Sequence, residues 1–357
     1  MLRSCPRRHA RLAAIALAMT AVAACDHSDA FTTPDTRSDT PRTPGTIAQL
    51  TFNLRPDLAP IVTRDGAAVL YAFESGEADR DICLAALPVT GGTRTGEWCA
   101  AELDEATRAD WFAGGALRAD GALAYTRFGS LVFAPIPSSG ALYVAPDGDL
   151  TRTRKVVDLL RLVPGIGILD QLVDPVWTGP ETLTALAATA NIARACNVCP
   201  WDTTLVGQAV VTINTSGLND LSVIGSAAGV EQLALDASGA RFVLRRGREI
   251  LTMPTSGGVP TLVYDAALET GGPFREIPGV AAGGGRIFAT RRWFDADTLR
   301  SDITILVNGT PERIPGTFLE RSAWGRATAT ADGRRLIVER SEGLTGQSDL
   351  YLVEVPQ

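Results

Sequence analysis

The sequence contains very little histidine or lysine. Its 357 residues include two histidines, His9 and His27, and one lysine, Lys155. Histidine supplies many of the catalytic bases that work near neutral pH and many metal ligands. The scarcity therefore argues against His-based catalysis, and the sequence predicts neither a metal site nor a cofactor. The low sequence pI of 5.1 argues against nucleic acid as a partner.

The N-terminal segment has the pattern of an export signal. Four arginines precede a 13-residue run from Leu12 to Ala24 that is apolar apart from one Thr. A run of this length is too short to span a bilayer core of about 30 Å. It ends in Val22-Ala23-Ala24-Cys25, and small residues directly before a Cys resemble the bacterial lipobox. We expect residues 1–24 to be a lipoprotein signal peptide and Cys25 to be lipidated. A plain secretory signal with a chance Cys is the alternative.

The mature chain is expected to be acidic and tethered. Removal of residues 1–24 takes away four of the 33 basic residues and none of the 40 acidic ones, so the net charge becomes −11. Because anionic lipid repels such a chain, the acyl groups on Cys25 would hold it at a membrane of the bacterial cell envelope, facing the periplasm or the exterior. Residues 25–44 are rich in Asp, Thr, Ser and Pro and predict a disordered linker.

A pattern of short strands repeats from residue 45 to residue 357. Each copy has an apolar strand, a turn that often contains Asp-Gly, a second apolar strand, and a third strand before a further turn. Asp-Gly between apolar runs is typical of β-hairpins, and short strands repeated at this interval predict propeller blades. The six copies span residues 58–92, 112–153, 173–217, 231–258, 279–314 and 325–356. The sequence therefore predicts an all-β fold, a six-bladed β-propeller over residues 45–357.

Two copies carry the repeat most clearly. Thr63-Arg64-Asp65-Gly66 precedes Asp81-Ile82-Cys83, and Thr330-Ala331-Asp332-Gly333 precedes Asp349-Leu350-Tyr351. These motifs resemble the repeats of TolB-like β-propellers, in which Asp-Gly is followed by an apolar strand and then by an Asp-Ile-Tyr-like strand. The resemblance covers residues 45–357 and implies a fold. It does not imply one function, because members of the family have varied roles.

The two ends of the repeat region predict how the ring closes. The sixth copy stops after its third strand, and residues 46–52 have the pattern of the fourth strand that this copy lacks. We expect the N-terminal strand to complete the last blade, because this pairing removes two exposed sheet edges.

Four cysteines remain in the predicted propeller. Cys83 and Cys99 lie symmetrically about a hairpin turn at Gly91, which predicts that they face each other in a disulfide. Cys196 and Cys199 form a Cys-x-x-Cys motif followed by Pro, where haem attachment would need His and a zinc site would need two further ligands. We expect a second disulfide that pins a long loop. A redox-active pair is the alternative.

Long predicted loops define a candidate recognition face. Residues 128–140, 190–207 and 291–301 would lie at one end of the propeller, around the central channel. Arg and Trp are favoured at binding hot spots. Four candidates of these types lie in these loops, and a fifth, Arg245, ends the second strand of the fourth repeat at the same end of the propeller. The predicted recognition face consists of Arg245, Arg291, Arg292, Trp293 and Trp201. Its expected partner is an envelope protein or an anionic ligand. The alternative is that each arginine pairs with a nearby acid.

The sequence singles out no catalytic residue. The expected function is therefore a membrane-tethered, non-catalytic binding or scaffold propeller of the cell envelope. The alternative is an envelope enzyme, a hydrolase or a lyase, that acts on a glycan, a peptide or a small molecule at the same face.

Overall fold

The computed structural model describes most of the repeat region. The described residues are 46–52, 55–74, 82–99, 111–128, 140–164, 167–194, 201–236, 238–269, 275–343 and 347–356. The predicted signal peptide, Cys25, the predicted linker, Cys196 and Cys199 all lie outside them. Within the described ranges, no helix has the length and hydropathy needed to cross a membrane.

Strands make up nearly all of the regular structure in the described residues. In chain order they are β1 (Ile47–Gln49), β2 (Asp57–Val62), β3 (Ala68–Glu74), β4 (Ile82–Pro88), β5 (Gly96–Trp98), β6 (Trp111–Leu117), β7 (Leu123–Phe128), β8 (Gly140–Ala145), β9 (Arg154–Asp158), β10 (Arg161–Val163), β11 (Gly167–Trp177), β12 (Thr182–Arg194), β13 (Trp201–Asn214), β14 (Leu221–Ser226), β15 (Gln232–Leu235), β16 (Arg241–Arg246), β17 (Glu249–Pro254), β18 (Thr261–Asp265), β19 (Arg275–Gly283), β20 (Arg286–Asp295), β21 (Thr298–Val307), β22 (Thr310–Arg313), β23 (Leu319–Glu320), β24 (Ser322–Ala329), β25 (Arg335–Glu342) and β26 (Ser348–Glu354). Short 3-10 turns occur at Pro146–Gly148, Leu150–Arg152 and Ala266–Leu268.

The strands form six antiparallel sheets, which are the blades of a propeller. Blades 1 and 2 are β2–β5 and β6–β9, blade 3 is β10–β14, blade 4 is β15–β18, blade 5 is β19–β23, and blade 6 is β24–β26 with β1. The innermost strands β2, β6, β11, β15, β19 and β24 each contact the next one and so surround a central channel. The predicted six-bladed β-propeller is confirmed.

The N-terminal strand closes the ring as predicted. Strand β1 pairs antiparallel with β26, in a register that places Ile47 opposite Val353. Beyond β1, the N–H of Leu50 donates to the carbonyl of Leu350 at 2.7 Å, and the N–H of Leu350 donates to the hydroxyl of Thr51 at 2.8 Å. Leu50 is fully buried. The last blade is therefore completed by residues from the start of the repeat region.

The apolar residues on both faces of each blade seal the contacts between blades. Among the described residues, six hydrophobic clusters occupy the six interfaces between neighbouring blades. Leu50, Tyr71 and Leu352 belong to the cluster between blades 6 and 1, and Phe288 and Trp324 to the one between blades 5 and 6. Because each blade buries its faces only against its neighbours, the closed ring is the stable unit.

Cys83 and Cys99 form a disulfide, which confirms the predicted pair. Cys83 is fully buried in the interface between blades 6 and 1, and Cys99 packs against the same cluster. The two residues are 16 positions apart. Closing a loop of this length stabilises the folded chain by about 3 kcal/mol.

Two of the predicted long loops are extended hairpins instead. In blade 5, β20 and β21 continue through residues 291–301 to a tight turn at Ala296 and Asp297, which have φ values of 44° and 65°. In blade 3, β12 and β13 continue until Arg194 pairs with Trp201. The positive φ values at Ala296 and Asp297 in blade 5 are the geometry of a type I′ hairpin turn. This turn lacks the usual Asn-Gly or Asp-Gly, so it cannot be recognised from the sequence.

Candidate functional site

The innermost strands depart from regular pairing near the centre of the channel. Five of the six contain a register shift, between Leu58 and Ile61, Phe112 and Gly114, Val173 and Val176, Glu276 and Gly279, and Trp324 and Ala327. Three of these bulges contain a proline, at Pro60, Pro175 and Pro278, which has no N–H to give to a ladder. A bulge re-aims the side chains around it. The bulges of blades 1, 2, 3 and 6 meet at a single cavity.

Asp174 lies in the bulge of blade 3 and points across the channel. Its Oδ1 is 2.5 Å from Nη1 of Arg326, which belongs to the bulge of blade 6. Its Oδ2 accepts a hydrogen bond of 3.0 Å from the N–H of Leu233 in blade 4. Asp174 has a φ of 50° and is followed by proline, an uncommon conformation for a residue other than glycine. Backbone of this kind concentrates at functional sites, where the surrounding structure holds it in place.

Glu339 brings a second carboxylate to the same place. It lies on β25, and its Oε2 accepts a hydrogen bond of 3.1 Å from the N–H of Arg326. Its Oε1 accepts one of 2.5 Å from the N–H of Ala59, which has a φ of 51° and precedes a proline, as Asp174 does. A Cβ at position 325 would overlap the Glu339 carboxylate, so glycine is needed there. The carboxylate is thereby fixed between blades 1 and 6.

The charged cluster around the Asp174–Arg326 pair contains three acids and two arginines. Its members are Asp174, Glu231, Glu339, Arg245 and Arg326. Arg245 forms an ion pair with Glu231, and Nη2 of Arg326 donates to the Glu231 carbonyl at 3.2 Å. Burial raises the pKa of Glu339, although two backbone N–H groups and Arg326 favour its charged form. Asp174 raises the pKa of Arg326 and so holds that guanidinium charged. Burial thus shifts the pKa of Glu339 upward, toward the protonated form.

Two cavities meet at the Asp174–Arg326 pair. The outer cavity has a volume of about 570 Å³ and is lined by innermost strands or their turns from all six blades. Its walls are mainly apolar, and at one end they include the exposed turn residues Arg64, Asp120 and Pro180. The inner cavity, of about 350 Å³, is lined by blades 1, 2, 3 and 6, includes Glu339 and reaches the exposed Leu58. The outer cavity opens at the turns between first and second strands, the end opposite the predicted recognition face.

The structure gives Arg291 and Arg292 local acidic partners. Arg291 is 5% exposed and makes two hydrogen bonds of 2.9 Å to the fully buried carboxylate of Asp302, its cross-strand neighbour. Its Nη1 also donates to Glu269 at 3.0 Å. Arg292 pairs with the half-exposed Glu276. In the structure, both arginines therefore pair with nearby acids, which are the contacts of the alternative prediction.

The other members of the predicted recognition face are dispersed. Trp293 is buried, with the guanidinium of Arg275 lying 5.3 Å from its ring centroid. Arg245 belongs to the channel cluster through Glu231. Trp201 begins β13, and its side chain is outside what the structure describes. The recognition face stays a prediction.

The sequence-based search for a site did not find Asp174, Arg326 or Glu339. The sequence does contain one indication of Asp174. Ala59-Pro60 and Asp174-Pro175 occupy matching places in the first and third repeats, and proline inside an apolar strand indicates a bulge. Arg326 and Glu339 carry no such local signal, because they meet Asp174 only when the ring closes.

Solved structures share this propeller fold at low sequence identity. A protein of unknown function from Dyadobacter fermentans matches with a TM-score of 0.53 at 12% identity, over 91% of this chain and 100% of that chain. Regucalcin from Agrobacterium tumefaciens, a calcium-binding protein, matches with a TM-score of 0.50 at 11% identity, over 87% and 94%. Trypanosoma rangeli sialidase in complex with sialic acid matches with a TM-score of 0.50 at 11% identity, over 90% of this chain and 57% of the sialidase. No family model and no curated protein sequence matches this chain.

These neighbours contradict the prediction of a non-catalytic binding or scaffold propeller. They include an enzyme, the sialidase, and a calcium-binding protein, so they agree better with the alternative prediction of an enzyme. At 11–12% identity the likeness shows the fold alone, and any activity of this chain has to be argued from its own residues. Within the described part of the chain, no group of three or more His, Cys, Asp or Glu side chains is arranged to hold a metal ion.

Proposed function

We propose that this chain is a hydrolase of the bacterial cell envelope that acts on a small, largely apolar molecule in the central channel of the propeller. The observation that carries the proposal is the meeting of Asp174, Arg326 and Glu339 where two cavities join. An apolar cavity of several hundred Å³ with a few convergent polar groups is the usual form of a small-molecule site.

Each of the three charged side chains has a role that its contacts support. Glu339, whose pKa burial raises, is the general acid that donates a proton to the leaving group. Asp174 is the general base that takes a proton from water, and Arg326 and the Leu233 N–H hold its carboxylate in place. Arg326 also presents N–H groups that stabilise negative charge developing on the substrate oxygen.

The setting of the enzyme rests on the sequence. We propose that residues 1–24 export the chain and that lipid on Cys25 tethers the propeller to an envelope membrane, as in TolB-like propeller lipoproteins. The lipobox-like Val22-Ala23-Ala24-Cys25 supports this location. An envelope protein or an anionic ligand remains the proposed partner of the predicted recognition face.

The purified full chain is expected to hydrolyse part of a fluorogenic panel of umbelliferyl esters, umbelliferyl glycosides and coumarin amides. For the best substrate whose leaving group has to be protonated, as in the coumarin amides, Glu339→Gln is expected to lower kcat/KM by about 100-fold or more. The glutamine amide cannot supply the acid proton. The measurement is the initial rate of fluorophore release, with a thermal melt of each variant.

The matched control is Glu97→Gln, the same change at a half-exposed carboxylate on β5 that pairs with Arg94. This variant is expected to keep the wild-type kcat/KM. No turnover of the whole panel by the folded wild-type chain would contradict the proposed function. Equal turnover by Glu339→Gln of a substrate whose leaving group has to be protonated would contradict it as well.

A further inference from the structure

Arg64 reaches across the mouth of the outer cavity. It belongs to blade 1, in the exposed turn between β2 and β3, and it lines this cavity. Its Nη1 donates to the carbonyl of Thr178 in blade 3 at 3.4 Å. A Cβ at Gly239 in blade 4 would come within 3.1 Å of its Nη2. The guanidinium therefore extends from blade 1 to the neighbouring edges of blades 3 and 4.

Arg64 differs from the other arginines of the outer cavity in having no acidic partner. Arg118 pairs with Asp120, and Arg326 pairs with Asp174. Arg64 forms no ion pair with any acid in the described part of the chain. Its positive charge is therefore free to bind an anion at the mouth.

The carboxylate that follows Arg64 in the chain is held by its own turn. Oδ1 of Asp65 accepts a hydrogen bond of 2.6 Å from the Thr63 hydroxyl and one of 3.1 Å from the N–H of Ala67. Such hydrogen bonds stabilise the turn in which they form. The Asp65 carboxylate thus stays with blade 1, whereas the Arg64 guanidinium lies beside blades 3 and 4.

A pocket rich in hydroxyl groups lies next to the Arg64 guanidinium. It has a volume of about 350 Å³ between blades 3 and 4, and its lining includes Thr178 and Gly239, the two residues that Arg64 reaches. Leu235 lines both this pocket and the outer cavity. Six residues of the lining carry a hydroxyl group: Thr178, Thr182, Thr184, Thr212, Thr255 and Ser256. Among the described residues, no acid lines this hydroxyl pocket.

Three of these hydroxyl groups have room for a ligand. Thr182 and Thr184 share one face of β12, and Thr212 lies opposite Thr184 on β13. The hydroxyls of Thr182, Thr212 and Ser256 make no hydrogen bond to any residue that the structure describes. Each hydroxyl can donate one hydrogen bond, and an anionic oxygen beside Arg64 can accept it.

We infer that the channel binds an anionic amphiphile, with its apolar body in the outer cavity and its carboxylate or phosphate head group between Arg64 and the hydroxyl pocket. The planar guanidinium and the hydroxyls match the oxygens of such a head group. The mainly apolar walls of the outer cavity match the body. This inference deepens the proposed function, on which it rests for the role of the amphiphile as substrate.

The head group and the charged cluster are at opposite ends of the outer cavity. Ala59, whose N–H donates to Glu339, precedes Arg64 by five residues, up to about 15 Å at the usual rise of a strand. With the head group at Arg64, the apolar body extends toward the Asp174–Arg326 pair. The bond that is cleaved therefore lies in the body, away from the head group.

Binding to the purified full chain tests this site without turnover. Isothermal titration calorimetry with octanoate, octyl phosphate and 1-octanol compares three ligands that have the same apolar chain. At least one of the two anions is expected to bind about tenfold more tightly than 1-octanol, because it makes charge-assisted hydrogen bonds. The more tightly bound anion identifies the head group as carboxylate or phosphate. Arg64→Gln is expected to remove this tenfold advantage and to leave the affinity for 1-octanol unchanged.

Thr212→Val tests the contribution of the hydroxyl pocket. Valine keeps the shape of threonine and suits a strand, so the variant is expected to fold. Its affinity for the preferred anion is expected to fall about threefold, the effect of one lost hydrogen bond, with no change for 1-octanol. An unchanged affinity for the anion would overturn the role of the hydroxyl pocket.

Arg334→Gln is the matched control. Arg334 lies in the turn between β24 and β25, at the same end of the propeller, and its side chain is 60% exposed and does not line the outer cavity. This variant loses the same charge and is expected to keep all three affinities.

The inference is overturned if neither anion binds more tightly than 1-octanol, or if Arg64→Gln and Arg334→Gln have equal effects. Either result, together with panel turnover that requires Glu339, overturns the inference and leaves the proposed function standing. Binding of an anion that depends on Arg64, with no turnover of the panel, supports the head-group site and overturns the proposed function.

Discussion

Replacing Asp174 with Ala is expected to lower the free energy of unfolding by about 3 kcal/mol. Removing one partner of a buried ion pair typically costs 3–5 kcal/mol, and the low end applies because 30% of the Arg326 side chain remains exposed. The change leaves the Arg326 guanidinium without its carboxylate and the Leu233 N–H without its acceptor. Chemical denaturation of the purified full chain measures the loss. By the mechanism proposed above, hydrolysis is also lost.

Two further variants separate charge from backbone conformation. Asp147 also has a positive φ, of 58°, but its ion pair with Arg152 is exposed. Asp147→Ala is therefore expected to cost about 1 kcal/mol, mostly from the backbone, because exposed pairs contribute little. Asp174→Asn keeps a residue that tolerates positive φ and should fall between the two alanine variants. If Asp174→Ala and Asp147→Ala lowered the free energy of unfolding equally, the claim that the Asp174–Arg326 pair stabilises the fold would be contradicted.

Deletion of residues 46–52 is expected to abolish cooperative unfolding. It removes β1 from blade 6, exposes the edge of β26, and takes Leu50 out of the cluster between blades 6 and 1. Because the blades are stabilised by their neighbours, opening one interface weakens the whole ring. The free edge of β26 is also a template for aggregation. Thermal melts and limited proteolysis of the deleted chain measure the effect.

Deletion of residues 28–34, seven residues within the predicted linker, is the control of equal length. It is expected to leave the melting temperature unchanged. A 46–52 deletion that melts at the wild-type temperature would show that β1 does not close the ring.

Much of the fold could be predicted because it depends on local patterns. Asp65-Gly66 and Asp332-Gly333 mark tight hairpin turns, and the alternation of apolar residues marks the strands around them. The closing role of residues 46–52 followed from a missing strand in the last repeat. The extended hairpin of blade 5 escaped prediction because its turn is Ala296-Asp297, a pair without the glycine that usually supplies positive φ.

The site could not be predicted in the same way because it is made by the ring. Asp174 and Arg326 are 152 positions apart, and Ala59 and Glu339 are 280 apart. Their contacts depend on bulges that break the alternation by which strands are recognised. The arginines that stood out in the sequence, such as Arg291 and Arg292, lie within the regular strand β20 and pair with acids nearby. Arginines at predicted strand ends therefore did not indicate the channel site.

The central claim is that protonated Glu339 is the acid at the channel site. The pH dependence of kcat/KM for the wild-type chain tests this claim most directly. Burial raises the pKa of Glu339 above the ordinary glutamate value of about 4.3. Since only the protonated form donates to the leaving group, kcat/KM is expected to fall as the pH rises through this raised pKa. Initial hydrolysis rates of the best panel substrate whose leaving group has to be protonated, measured between about pH 4 and pH 9 with a stability check at each pH, give the profile. A kcat/KM that rises throughout this range, with no falling limb, would contradict the account.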